Sequence, residues 1–125
     1  MPVRLKRRVV VKTAAYTVNP AVDSGGTLFV AQGSASLTFT LPSPVAGLLG
    51  EYYDFLNVVD QDMVVATPTA DTLVTDGDLA ADSVSFATSS HKIGGQVRVT
   101  CVPGASSGYR WAATNLSGCT LTVTT

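Results

Sequence analysis

Residues 37–41, Leu-Thr-Phe-Thr-Leu, alternate apolar and polar side chains without a break. Successive side chains of a β-strand point to opposite faces of a sheet, so the two leucines and the phenylalanine face one way and the two threonines the other. Pro42 and Pro44 follow directly, and proline cannot donate to a strand ladder. The stretch therefore predicts a short strand with one buried face and one solvent-facing side.

The composition of the whole chain extends this prediction. Val (18) and Thr (16) supply 34 of the 125 residues, whereas Glu, Gln and Lys together supply only seven. β-Branched side chains pack well on a pleated sheet, while long unbranched polar side chains are typical of exposed helix faces. A chain of 125 residues has room for one core. The composition predicts a single-domain, nearly all-β protein.

Short segments with strand character recur at intervals of about 8–12 residues, which is typical of a sandwich, a jelly roll or a small barrel. Gly, Pro, Asn or Asp separates most of them. We expect strands near residues 14–18, 27–31, 36–41, 51–59, 63–66, 72–74, 84–87, 96–102, 109–113 and 119–124. The predicted fold is an all-β, single-domain antiparallel β-sandwich or jelly roll formed by residues 13–125.

The charges are segregated along the chain. The net charge is −1, but no Lys or Arg occurs between Thr13 and Ser90, and eight of the nine acids lie between Glu51 and Asp82. The first twelve residues hold no acid and five cations, which are Arg4, Lys6, Arg7, Arg8 and Lys12. We expect residues 1–12 to form an extended basic N-terminal arm that can pair at a sheet edge, on a body of net charge −6.

Three interpretations compete for the basic arm. It can be a charged edge strand that blocks edge-to-edge association, or it can bind an acidic surface of a neighbouring subunit or larger assembly. Nucleic acid is the third partner, but the acidic body would repel phosphates and no aromatic side chain lies among the basic ones. We therefore favour a protein partner, bound through Arg4, Lys6, Arg7, Arg8 and Lys12, and predict no nucleic acid partner.

One short motif points to an enzyme. Residues 21–25, Ala-Val-Asp-Ser-Gly, resemble the Asp-Ser/Thr-Gly loop of retroviral-type aspartic proteases, which are homodimers whose two aspartates share a proton. The hydrophobic-Gly element of residues 48–50 follows Asp23 too closely for that family, and a Gly-rich hairpin explains the same residues. His91 has no catalytic partner near it in sequence. We predict no enzyme, with a protease using Asp23 as a remote alternative.

Metal and cofactor chemistry has little support in the sequence. Loops could hold Ca²⁺ through Asp71, Asp76, Asp78 and Asp82, but these lack the spacing of an EF-hand, so solvated turns are expected. Cys101 and Cys119 are too few for a zinc site, and whether they bond to each other stays open. We predict no metal and no cofactor.

Nothing in the sequence predicts a membrane partner. No apolar run approaches the roughly 20 residues of a membrane-spanning helix. The basic start of the chain leads into only Val9-Val10-Val11 before Lys12, which is too short for a secretory signal. We expect synthesis in the cytoplasm without export.

A strand, a Gly-rich turn and an aromatic strand near the C-terminus are present in residues 15–20, 23–29, 37–42, 50–55, 93–99 and 107–111. Together these segments resemble small β-structured proteins of tailed-bacteriophage virions, above all capsid decoration (cement) proteins of the β-sandwich or jelly-roll type. The resemblance spans most of residues 14–112.

The resemblance implies a structural virion protein. Such a protein is a jelly-roll-like homotrimer that binds the major capsid protein on the outside of the shell, covers junctions between capsomers and resists internal DNA pressure. The same resemblance leaves open a second function, a tail-fibre or baseplate module that recognises host sugars. The candidate sugar-binding residues of such a module are Tyr52, Tyr53, Tyr109 and Trp111.

Overall fold

The computed structural model describes residues 6–125. Within this range the chain forms twelve strands and a 3-10 turn at Ala46–Leu48, and no α-helix occurs in it. The strands are β1 (Val9–Lys12), β2 (Tyr16–Thr17), β3 (Leu28–Ala31), β4 (Leu37–Thr40), β5 (Tyr52–Asn57), β6 (Met63–Ala66), β7 (Leu73–Thr75), β8 (Asp78–Ala81), β9 (Ser83–Phe86), β10 (Gln96–Pro103), β11 (Tyr109–Asn115) and β12 (Thr122–Thr124). The prediction of a nearly all-β chain is confirmed.

The strands are divided between two mixed sheets. The seven-stranded sheet has the order β1-β3-β5-β10-β11-β7-β8, and the five-stranded sheet has the order β12-β9-β6-β4-β2. The first six strands alternate strictly between the two sheets. A chain that crosses to the other sheet and returns runs in its original direction, so β1, β3 and β5 are mutually parallel, as are β2, β4 and β6.

The prediction of antiparallel sheets is wrong. Half of the ten strand pairs are parallel, including the pairing of β11 with β7. Parallel strands need a crossover connection, usually a helix. In the four parallel pairs formed by β1 to β6, the intervening strand in the opposite sheet is that crossover. The short intervals between the predicted strands do not say whether the next strand joins the same sheet or the other one.

Aromatic side chains join the two sheets in one core. Phe39 of the five-stranded sheet lies 4.9 Å from Phe55 and 5.8 Å from Phe29 of the other sheet, measured between ring centroids. Trp111 is fully buried, and its indole N–H donates to the Pro42 carbonyl at 2.8 Å. Offset aromatic contacts at these distances stabilise a core beyond their buried area. The alternation of residues 37–41 is confirmed, since Leu37, Phe39 and Leu41 are buried.

Candidate docking surfaces

The N-terminal segment lies along the border of the seven-stranded sheet. β1 is its edge strand and pairs with β3 in parallel, which agrees with the expectation that the basic segment can pair at a sheet edge. Arg7 precedes β1, and its guanidinium donates twice to the Gly26 carbonyl, at 2.7 and 3.0 Å. Its third contact is an ion pair of 2.9 Å with Asp54. The residue therefore fastens the segment to its own chain.

Asp54 is a fully buried carboxylate on the outward face of that sheet. Besides Arg7, it accepts two hydrogen bonds from Arg98, at 2.7 and 2.9 Å. The Arg98 guanidinium in turn lies 4.8 Å from the ring centroid of Tyr52. Burial by itself would raise the pKa of Asp54, but the hydrogen bonds and charges of Arg98 and Arg7 outweigh it and hold the pKa below its usual range. Asp54 is thus ionised and fully paired.

Asp23 forms a second cluster of the same kind. It is 1% exposed and accepts from the Tyr16 hydroxyl at 2.6 Å, from the Asn19 N–H at 2.9 Å and from Arg8 at 3.1 Å. Burial acts to raise its pKa, but the bonds from Tyr16, Asn19 and Arg8 together lower it. Two cations that precede β1 are therefore matched to two buried carboxylates of the body.

The geometry of Asp23 does not suit an aspartic protease. A catalytic aspartate must reach the peptide and share its proton with a second carboxyl group. Both oxygens of Asp23 instead hold donors of the same chain, and the side chain is closed off from solvent. In the structure, the Asp23 carboxylate holds Arg8, Tyr16 and the Asn19 backbone in place through these hydrogen bonds.

The five cations predicted to bind a partner are in different situations. Arg4 lies outside the described residues. Arg7 and Arg8 form the ion pairs given above. Lys6 is exposed, and the Lys12 ammonium lies 3.7 Å from the ring centroid of Tyr16. Within residues 6–125, neither lysine forms an ion pair, so these two keep their charge available at the surface.

The candidate sugar-binding aromatics do not form one surface. Tyr53 and Trp111 are fully buried and pack against each other at 6.0 Å, so they belong to the core. Tyr52 is exposed beside Arg98, and Tyr109 is partly exposed on another strand. Buried rings cannot stack on a sugar.

Within residues 6–125, the strands of the five-stranded sheet present no charged side chain on their outward face. Strand register places its residues in two main rows. The first row crosses β4, β6, β9 and β12 as Thr38, Val64, Ser85 and Thr122, and the second as Thr40, Ala66, Ser83 and Thr124. Their inward-facing neighbours in these strands, Val123 excepted, are buried. The face is an array of hydroxyl and methyl groups.

One cleft lies at the end of the molecule between the loops that follow β5 and β9. Its cavity of about 200 Å³ is lined by Asp60, Ser89, Ser90, Lys92 and Ile93. Lys92 is paired with Asp62 at 2.9 Å. His91 accepts a hydrogen bond from the Thr120 N–H at 3.1 Å. No arrangement of nucleophile and base is formed by these side chains.

In the part of the chain that the structure describes, no three His, Cys, Asp or Glu residues are grouped so that they could hold a metal ion. Cys101 and Cys119 are free thiols, and burial raises the pKa of Cys101. No helix in residues 6–125 is long and apolar enough to cross a membrane.

Comparison of the chain with protein-family models, curated proteins and solved structures finds no match. The candidate surfaces are therefore defined by this structure alone.

Sequence reasoning missed Asp54 and Arg98 as members of a site. A signal was present for Asp54. It shares one face of the predicted strand with Tyr52, Leu56 and Val58, and it is the single acid on that face. An isolated acid among apolar neighbours indicates a buried, paired carboxylate. Its partners lie 47 and 44 residues away in sequence, which local patterns do not reveal.

Proposed function

We propose that this protein is a structural virion protein of the capsid decoration type, which binds the major capsid protein on the outer surface of a phage shell. The observation that supports this most is the uncharged outer face of the five-stranded sheet. A solvated sheet face normally carries charged side chains. Here two rows of Thr, Ser, Val and Ala cover four strands.

An uncharged face of small side chains suits a protein interface. The centres of protein interfaces are depleted of charged residues, because a buried charge without a partner is costly. Small hydroxyl and methyl groups can be covered without ordering long side chains. We infer that this face lies against the shell. Many copies that bind one lattice gain by multivalency, so each contact can be weak.

The opposite outward face supports the same orientation. It carries the Asp54 cluster with Arg7 and Arg98, and both guanidiniums remain about one third to two fifths exposed. A charged, hydrated face is expected to point to solvent on a decorated shell. We further propose that the two sheets form a β-sandwich. The parallel pairs depart from the antiparallel order of a jelly roll.

The basic N-terminal segment fits the proposal in a narrower form. Arg7 and Arg8 hold the segment on the body, whereas Lys6 and Lys12 are the described cations that can meet an acidic neighbour. A homotrimer on the shell would place such neighbours at every subunit. The tail-fibre alternative receives less support, because two of its four aromatic candidates are in the core.

A matched pair of substitutions tests the shell-facing surface. Val64→Glu puts a charge in the centre of the uncharged face, and Val102→Glu puts the same change on the outward face of β10; both valines are half-buried. Purified capsids lacking the protein are incubated with each variant, and bound protein is measured after sedimentation. We expect Val64→Glu to lose binding by at least about tenfold and Val102→Glu to bind like the wild type. Equal binding of both variants would remove the five-stranded face from the proposal.

A further inference from the structure

The two edges of the seven-stranded sheet have opposite charge. At one edge, Lys6 and Lys12 flank the exposed valines of β1. At the other edge, Asp76 and Asp78 lie beside Leu79 of β8, which is 65% exposed. No Lys or Arg occurs between residues 13 and 90, so strands β7 and β8 carry no cation of their own.

Within residues 6–125, no strand pairs with the outer side of β1, so this edge can accept a further strand. The Leu28 N–H donates to the Arg8 carbonyl and the Gln32 N–H to the Lys12 carbonyl, both at 2.9 Å. Even-numbered peptide groups of β1 therefore face β3, and those of Val9 and Val11 point away from the sheet. These two valines are 54% and 51% exposed. An exposed edge strand with apolar side chains is a template for association unless it is covered.

The β8 edge offers a complementary surface. Leu79 supplies an apolar side chain of the kind that packs on valines, and Asp76 in the preceding turn is exposed. Asp78 stabilises the conformation of β8, because its carboxylate accepts hydrogen bonds from the Ala80 N–H at 2.8 Å and from the Thr125 hydroxyl at 2.6 Å. Its negative charge stays at the edge.

We propose that the β1 edge of one copy docks head-to-tail on the β8 edge of a second copy, with valines against leucine and lysines beside aspartates. Symmetric docking is disfavoured by charge. β1 against β1 would bring lysines together, and β8 against β8 would bring aspartates together, and like charges across an interface are repulsive. Head-to-tail docking closes into a ring or continues as a filament. The proposed homotrimer is such a ring, but the edge pairing itself requires no capsid.

The test uses purified protein without capsids, so its result is separate from that of the virion proposal. Sedimentation velocity over a range of concentration measures assembly of the wild type, which we expect to oligomerise. Lys6→Glu with Lys12→Glu makes the β1 edge acidic, and Asp76→Lys with Leu79→Lys makes the β8 edge basic. Each double variant alone is expected to associate at least about tenfold more weakly.

Mixing the two double variants gives the decisive result. The acidic β1 edge of one matches the basic β8 edge of the other, and the remaining wild-type edges match as well. We expect the mixture to assemble into species in which the two variants alternate, which also shows that both variants are folded. A wild type that stays monomeric at every concentration, variants that associate like the wild type, or a mixture that stays monomeric would each overturn the proposal.

Discussion

The centre and the border of the seven-stranded sheet are stabilised by different interactions. At the centre, Phe29, Phe55 and Trp111 are fully buried in an apolar core shared with Phe39. At the border, β1 is a single edge strand that is held by parallel pairing and by two arginines on two buried carboxylates. This chain therefore uses apolar burial to form its body and paired charges to place its N-terminal segment.

The largest effect is expected from the centre. Phe39→Ala removes the ring that contacts both Phe29 and Phe55 across the sheets and leaves a cavity. Replacing a buried Phe by Ala costs about 3–5 kcal/mol. Urea unfolding at neutral pH should show this loss in the free energy of unfolding. Val22→Ala, at a residue 64% exposed, is the control and should change stability by less than about 0.5 kcal/mol.

At the border, Asp54→Asn should lower the free energy of unfolding by less than Phe39→Ala does. Asparagine keeps the shape of the side chain but loses the charge that binds Arg7 and Arg98. Hydrogen bonds to charged groups contribute about 1.5–3 kcal/mol, and both arginines stay partly solvated, so we expect a loss of about 2 kcal/mol. The control Asp76→Asn changes an exposed acid. Equal stability of the two variants would contradict the claim that the paired charge of Asp54 stabilises this border of the sheet.

Acidification should erase the difference between the wild type and Asp54→Asn. An aspartate in an unfolded chain has a pKa of about 3.9. The pKa of Asp54 in the folded protein is lower than this. Its contribution is therefore fully present above about pH 4 and is lost as the pH falls through the folded-state pKa. The free energies of unfolding of both proteins, measured at a series of pH values, should begin to converge as the pH falls below about 4 and become equal only below the folded-state pKa of Asp54. Curves that stay parallel down to low pH would show that the contribution of Asp54 does not depend on its ionisation.

The smallest effect is expected from Arg7→Lys. Lysine keeps the charge but cannot reach the Gly26 carbonyl and Asp54 together with a planar fork. We expect a loss of about 1 kcal/mol that is confined to the opening of β1. Hydrogen exchange at the Leu28 and Gln32 amides, which donate to β1, should accelerate while the amides of β10 remain protected. Lys6→Ala should leave these rates unchanged.

The centre of the molecule was largely predictable and the border was not. The strand at residues 37–41 and the aromatic strand of Tyr53 and Phe55 follow from alternation, which is a local property. β8 was missed because its acidic start, Asp76-Gly77-Asp78, has the composition of a turn; Gly77 adopts a positive φ of 75° there, and the strand begins immediately after it.

Charge in sequence indicates which segments are basic or acidic, but not where a partner lies. Arg8 pairs with Asp23, 15 residues away in sequence, and Arg7 pairs with Asp54, 47 residues away. These pairs form because the alternation of strands between the sheets places β1 beside β3 and β3 beside β5. The strand order depends on contacts distant in sequence. The basic segment was therefore recognised, while the intramolecular use of its two arginines was not.

The central claim is that this protein is a capsid decoration protein, and its copy number in virions tests that claim most directly. On the proposal, the chain belongs to a phage, and purified virions of that phage are analysed by quantitative mass spectrometry against the major capsid protein. We predict copies in the same range as the shell subunits. A handful of copies per virion would assign the protein to the tail, and its absence from virions would contradict the account.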